Sequence, residues 1–161
     1  MNLSPYEAIV VGSGATGGVA ALTLAEKGIK VLVIEAGPNL NANQALGSEP
    51  INTINRIGGI INGTHRKQAQ HPGYWKNNPK LYLNETENPY LHPPQKPFLL
   101  TQGRQVGGRS LTWGGITLRL SDYEFKASKT DGFGPLWPIE YSELAPYYSE
   151  IERKLRIYGH K

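Results

Sequence analysis

Ile9-Val-Val-Gly-Ser-Gly-Ala-Thr-Gly-Gly18 is the stretch whose reading decides the fold. The residues before it, Glu7-Ala-Ile-Val-Val11, are β-branched and end abruptly at Gly12, as a buried parallel strand does. From Ala15 to Lys27 the pattern turns helical, with Val19, Leu22 and Leu24-Ala25 as its apolar stripe, and Gly28 fits the residue just past the helix end. Lys30-Val-Leu-Val-Ile34 reads as a second strand of the same buried type. Strand, helix and strand within about 30 residues predict a right-handed βαβ crossover over residues 6–37.

The glycines give that crossover a chemical meaning. Gly12 makes the tight turn out of the strand, Gly14 lets backbone approach a pyrophosphate, and Gly17 lets the helix pack closely on the strands. Ser13, Ala15 and Thr16 complete a turn whose N–H groups, with the helix dipole behind them, face an anion. Glu35, followed by Ala36, falls at the end of the second strand, where a carboxylate can accept both hydroxyls of a ribose. An acid there disfavours a 2′-phosphate, which speaks against an NADP-like ligand. NAD and FAD share the adenosine end, so these residues leave both open.

Residues 38–100 differ in kind. Pro and Asn recur, apolar residues keep no steady period, and Asn88-Pro-Tyr-Leu-His-Pro-Pro-Gln-Lys-Pro97 excludes regular structure. The expectation is one long irregular insertion, broken by a helix or turn around Ile51–Ile57 that Gly58-Gly59 ends. Tyr74, Trp75 and Tyr82 are expected to anchor it on a ligand or partner domain. Phe98-Leu-Leu-Thr101 reads as a short strand leading into Gly103-Arg-Gln-Val-Gly-Gly-Arg-Ser-Leu-Thr-Trp-Gly-Gly115. Pro146 fits the first position of a C-terminal helix over 145–157, with Tyr147, Ile151 and Leu155 on its inner face. The fold class expected is α/β: a Rossmann-like FAD/NAD(P)-binding βαβ unit with a long irregular insertion and an incomplete sheet.

Composition narrows the function classes. With 19 Gly and 12 Pro among 161 residues and 39% hydrophobic residues, much of the chain must be loop. The net charge of +4 is mild and its 17 basic residues are scattered, so no nucleic-acid partner is expected. There is no cysteine, and His65, His71, His92 and His160 are too widely spaced for a helical metal site, so no metal is expected. No signal peptide or apolar run of about 20 residues is visible, so no membrane segment is expected and the compartment expected is the cytoplasm. Asn62-Gly-Thr64 and Asn84-Glu-Thr86 are read as chance matches to a glycosylation pattern.

The second glycine cluster separates FAD from NAD through a resemblance. Ile9–Gly18, Val33-Ile-Glu-Ala-Gly-Pro38, Gly103-Arg-Gln-Val-Gly-Gly-Arg-Ser110, Gly134-Pro-Leu-Trp-Pro138 and Leu144-Ala-Pro-Tyr-Tyr148 resemble, in order and rough spacing, the N-terminal part of a glucose-methanol-choline (GMC) oxidoreductase. The resemblance implies FAD as cofactor and an alcohol or sugar as substrate. It places Arg104, Val106, Gly107, Gly108 and Ser110 beside the cofactor in a segment over 101–117, with Trp113 and Gly114 near the flavin. Arg109 and Trp113 depart from the commonest pattern and bring the chain nearer the sugar-oxidising branches. Some of those carry a flavin-linking His where this chain has Thr112, which implies non-covalent FAD.

The same resemblance limits what can be assigned. The family's catalytic His lies near the C-terminus of a much longer chain, and none of the four histidines here matches its motif. No catalytic residue is therefore assigned. The substrate domain is expected to be absent from 1–161, the rest of the enzyme to be required, and the chain alone to be marginally folded and inactive. The rival reading from the residues alone is a non-catalytic nucleotide-binding module.

Overall fold

The computed structural model describes residues 5–98 and 100–159. These fall into two compact units, Met1–Trp113 and Gly114–Lys161.

The first unit opens with β1 (Ala8–Val11), α1 (Ala15–Glu26) and β2 (Val31–Ile34). The strands pair in parallel, Ala8 opposite Val31 through Val11 opposite Ile34. α1 starts at Gly14, which has no side chain to cap it, and ends in a Schellman motif at Gly28. There the Ile29 N–H bonds the Leu24 carbonyl and the Gly28 N–H bonds that of Ala25. A φ of +80° at Gly28 makes glycine the residue for that position. The expected strand, helix and strand are all present, from Ala8 to Ile34.

The strands are not buried on both faces, as expected of parallel strands. Only Val10 reaches the core, while Val11 is 80% exposed and Ile9, Val33 and Ile34 are also open. A two-stranded sheet with one crossover helix has too little material to cover both faces. The helix stripe shifts too: Val19 and Leu24 are half-buried, but Leu22 and Ala25 are exposed.

Residues 38–100 correct the expectation of an irregular insertion. They hold α2 (Ala42–Leu46), α3 (Glu49–Ile61) and three short 3-10 turns, Gln68–Gln70, Pro72–Lys76 and Pro79–Leu81. Prolines lie in the first turn of α3 and of the last two 3-10 turns, where an N–H has no helical partner to lose. α3 runs through Gly58-Gly59 instead of stopping there. A β-carbon on Gly59 would lie 2.5 Å from the His65 ring, so the glycine admits that ring and Tyr74 against the helix. The helix is inverted: Asn52, Arg56 and Gly59 face inward, while Ile51, Ile54, Ile57 and Ile61 are exposed.

Side-chain hydrogen bonds hold this segment. Arg56, 3% exposed, donates to both carboxylate oxygens of Glu49 and to the Asn77 carbonyl. The Tyr74 hydroxyl donates to the Arg56 carbonyl at 3.2 Å. Glu85 accepts the N–H groups of Lys67 and Gln68, and Gln68 is bonded by its amide to Leu83 and by its carbonyl oxygen to Gln102 N–H. Tyr74 and Tyr82 are buried in this core, 5.4 Å apart, so they do not anchor the segment on an outside partner. Trp75 is half-exposed, with its indole N–H on the Ala69 carbonyl.

No strand forms at Phe98, Leu100 or Thr101, and Leu99 of that expected strand lies outside the described residues. The chain instead makes a single antiparallel bridge between Tyr82 and Gly103.

The second unit contains α4 (Asp122–Asp131) and α5 (Tyr141–Lys154). Capping boxes start both helices, Ser121 with Glu124 and Glu140 with Glu143. The second box begins α5 before Pro146, so Pro146 lies inside the helix rather than at its first position. Its half-buried face is Tyr141, Leu144, Tyr148 and Ile151, whereas Tyr147 and Leu155 are exposed. Arg119 braces α5 with a bidentate pair to Glu152, at 2.7 and 2.5 Å, under the ring of Tyr148.

Candidate functional site

The end of β2, the turn after β1 and the segment after Tyr82 converge on a cavity of about 680 Å³. Gly12, Gly14, Glu35, Ala36, Arg104 and Gly108 line it. Six of the sequence-derived residues are thus brought together from three stretches of chain.

The turn is built from the strand pairing. The Gly12 N–H continues the ladder to the Ile34 carbonyl at 2.7 Å, and a φ of +90° then turns the chain away. Gly17 sits directly beneath, where a β-carbon would lie 2.0 Å from the Gly12 carbonyl oxygen. Gly14 is the reverse case. Nothing lies within 4 Å of the place a β-carbon would occupy, so its outer side is open to a ligand. Ala15 and Thr16 follow, exposed, on the first turn of α1. That end presents N–H groups without intrahelical partners and the positive end of the helix dipole.

Glu35 is held at the cavity edge by three donors. Its Oε2 accepts the Ser13 N–H at 2.9 Å and the Ser13 hydroxyl at 2.6 Å, and its Oε1 accepts the Gly37 N–H at 2.8 Å. These bonds, the Ser13 hydroxyl foremost, hold its pKa down to about 2. A carboxylate offers roughly four acceptor positions. Three of the Glu35 positions are met by donors of the chain itself.

The second glycine segment lies against the first. A β-carbon on Gly108 would come within 3.3 Å of Gly14 Cα, a tight approach of chain to chain at a residue whose φ of +53° also favours glycine. The Gly107 N–H donates to Ser13 Oγ at 3.0 Å, and the Val106 N–H to the Pro38 carbonyl at 3.0 Å. A β-carbon on Gly37 would meet the Arg104–Gln105 peptide at 2.3 Å. Arg104 spans the cavity edge, donating to the Ala36 carbonyl and to Asn88.

Other expected residues are placed differently. Ser110 turns its hydroxyl back to the Gly107 carbonyl at 2.6 Å, closing the 3-10 turn Gly108–Leu111. Ser13, Val106, Gly107 and Ser110 support the cavity without lining it. Trp113, at the end of the first unit, is 51% exposed, and Gly114 belongs to the second unit.

The opposite wall was not anticipated. Leu83, Glu87, Asn88 and Pro89, from the Pro- and Asn-rich stretch, line the cavity with Gln102, Gly103 and Gln105. The available signal was Asn84-Glu-Thr86, read only as a glycosylation pattern. The Asn84 side chain accepts from the Thr86 N–H and hydroxyl, and that turn carries the chain to Glu87. Among the described residues no group of three or more His, Asp or Glu side chains could hold a metal ion, and no helix is long and apolar enough to cross a membrane.

A parallel βαβ turn, an open glycine at a helix N-terminus and a strand-end carboxylate define a dinucleotide-binding unit. The FAD binding domain family matches residues 7–81, so the dinucleotide is FAD. Over 157 residues, 96% of the chain, it is 29% identical to paromamine 6'-oxidase of Streptomyces fradiae. Over 156 residues, 95% of the chain, it is 24% identical to the fructose dehydrogenase large subunit of Gluconobacter japonicus. A 43-residue stretch, 27% of the chain, is 54% identical to a long-chain-alcohol oxidase of Arabidopsis thaliana, covering 6% of that protein. The chain spans 24% and 27% of the first two relatives' lengths. Together these matches fit an FAD-binding segment of a GMC-type oxidoreductase.

Proposed function

We propose that this chain holds FAD in an enzyme that moves a hydride from the CH–OH group of an alcohol or sugar to the flavin. The observation that carries the reading is the meeting of Gly14 and Gly108 at one cavity, 94 residues apart in sequence, with Glu35 at its edge. Bound FAD supplies the hydride acceptor. The chain's own residues bind and orient it. Gly12, Gly14 and the first turn of α1 meet the pyrophosphate, Glu35 takes a hydroxyl of the adenosine ribose, and Ala36 and Arg104 close that end. The 103–111 segment continues along the cofactor toward Trp113.

The alcohol or sugar substrate follows from what the relatives are named for. The general base that would take the hydroxyl proton is not assigned to any residue of this chain. Non-covalent FAD belongs to the same reading, because the hydroxyl of Thr112 cannot form the ring linkage an imidazole forms.

The test is direct. Purified protein should be yellow, and acid precipitation should release all the flavin into the supernatant. Flavin kept in the pellet would overturn the non-covalent reading. A colourless protein that takes up no added FAD would overturn the function.

A further inference from the structure

We infer that Ser13 is a positioning residue that latches the second glycine segment onto the dinucleotide turn, so that the two halves of the cradle stand assembled before cofactor arrives. The proposal rests on the reading of this cavity as the FAD site.

Ser13 joins stretches of chain 22 and 94 residues away. Its only hydroxyl proton goes to Glu35 Oε2 at 2.6 Å, which leaves its lone pairs to accept the Gly107 N–H at 3.0 Å. The polarity is self-consistent. A hydroxyl that donates to a carboxylate becomes a better acceptor, so the two bonds reinforce each other. The backbone N–H of Ser13 reaches the same Oε2 at 2.9 Å and fixes the residue that carries the hydroxyl.

Within the segment, Gln105 donates its side-chain amide to the Gly108 carbonyl at 2.7 Å and the Ser110 hydroxyl donates to the Gly107 carbonyl at 2.6 Å, so the latch acts on the tie between this segment and the turn. Gly107 and Gly108 both have positive φ, +89° and +53°, a flexible pair that must be held in place. Gly108 has only van der Waals contact with Gly14, and Val106 is tied to Pro38 rather than to the turn. Without the Ser13 hydroxyl, no side chain described here bonds the turn to the Gly107–Gly108 pair.

The test compares Ser13→Ala, Ser13→Thr and the wild-type full chain by FAD titration and by amide hydrogen exchange without cofactor. Ser13→Ala should weaken FAD binding roughly tenfold or more and speed Gly107 exchange by a similar factor, while the Asn52 and Ala69 amides stay protected. Ser13→Thr, which keeps the hydroxyl, should restore both. A residue with a merely structural role would speed exchange across the unit and would not be rescued selectively at Gly107.

If Ser13→Ala unfolds the chain, Ser13→Cys, near in size but a weak donor and acceptor, carries the same comparison. Wild-type exchange at Gly107 in Ser13→Ala, or in Ser13→Cys where that variant is needed, would overturn the latch. If the wild-type protein takes up no FAD, the functional reading fails, and the exchange comparison still decides the latch.

Discussion

Gly17 and Gly12 are locked in a contact that leaves no room for a side chain. A methyl group on Gly17 would press to 2.0 Å against the Gly12 carbonyl oxygen, which belongs to the turn itself. Gly14, three residues earlier, has open space at the same place. Two glycines of one motif thus serve different ends, one the fold and one the ligand.

The two can be separated by mutation. Gly17→Ala should destabilise the chain by about 3 kcal/mol or more, because backbone has to move. Gly14→Ala should cost at most about 1 kcal/mol, the loss of a better N-cap residue, while weakening FAD binding tenfold or more. Thermal melts and FAD titrations on both variants check the split. Equal effects of the two on stability would show that Gly14 is not kept for the ligand.

Glu35 makes stability sensitive to acid in a defined window. Its pKa falls from 4.5 to about 2 on folding, chiefly through the Ser13 hydroxyl. A group depressed in this way stabilises the fold above its unfolded pKa, and the contribution is lost as pH falls through the folded one. Between pH 4.5 and about 2 the wild-type melting temperature should therefore fall more steeply than that of Glu35→Gln. Parallel melting curves across that window would contradict the assignment.

Arg56 is buried and Glu49 is largely exposed, so the two ends of their ion pair are not equivalent. Glu49→Gln leaves a guanidinium inside the fold with reduced compensation and should lower the denaturation midpoint. Adding Arg56→Met removes the stranded charge and should recover part of that loss. Denaturant melts of the single and double variants measure the sign, and a double variant worse than the single would refute it.

Arg156 takes φ +52°, the left-handed region, at the end of α5. The Ile157 N–H bonds the Glu152 carbonyl and the Arg156 N–H bonds that of Arg153, the Schellman pattern that normally selects glycine. Arg156→Gly should raise stability by about 0.5–1 kcal/mol, relieved strain outweighing added freedom in the unfolded chain. The melting temperature of the variant decides it.

The βαβ unit was legible because every local signal agreed. The β-branched runs, the Gly12 turn, the helical stripe and the Gly28 stop all pointed one way. The site was legible where chemistry is tied to spacing, as in Gly12, Gly14 and Glu35. It was not legible where the chain closes on itself by polar bonds. Arg56, Gln68 and Glu85 leave no periodicity, and their contacts reach residues many positions away. α4 escaped for a related reason: Phe125 is its only buried residue, so the Ser121–Glu124 capping box had no stripe to support it. The inner face of α5 was misread because its start was tied to Pro146 instead of to the Glu140–Glu143 box.

The polar centre of residues 41–105 also has a thermal consequence. Exposing apolar surface raises heat capacity by about 0.45 cal/mol/K per Å², while exposing polar surface lowers it by about 0.26. Opening a core of Asn52, Arg56, Gln68, Asn78 and Gln105 beside tyrosines therefore adds and subtracts in nearly the same place. The stability curve of this segment should therefore be shallower than that of a purely apolar core of the same size, and its hold on the far wall of the cavity less sensitive to cold.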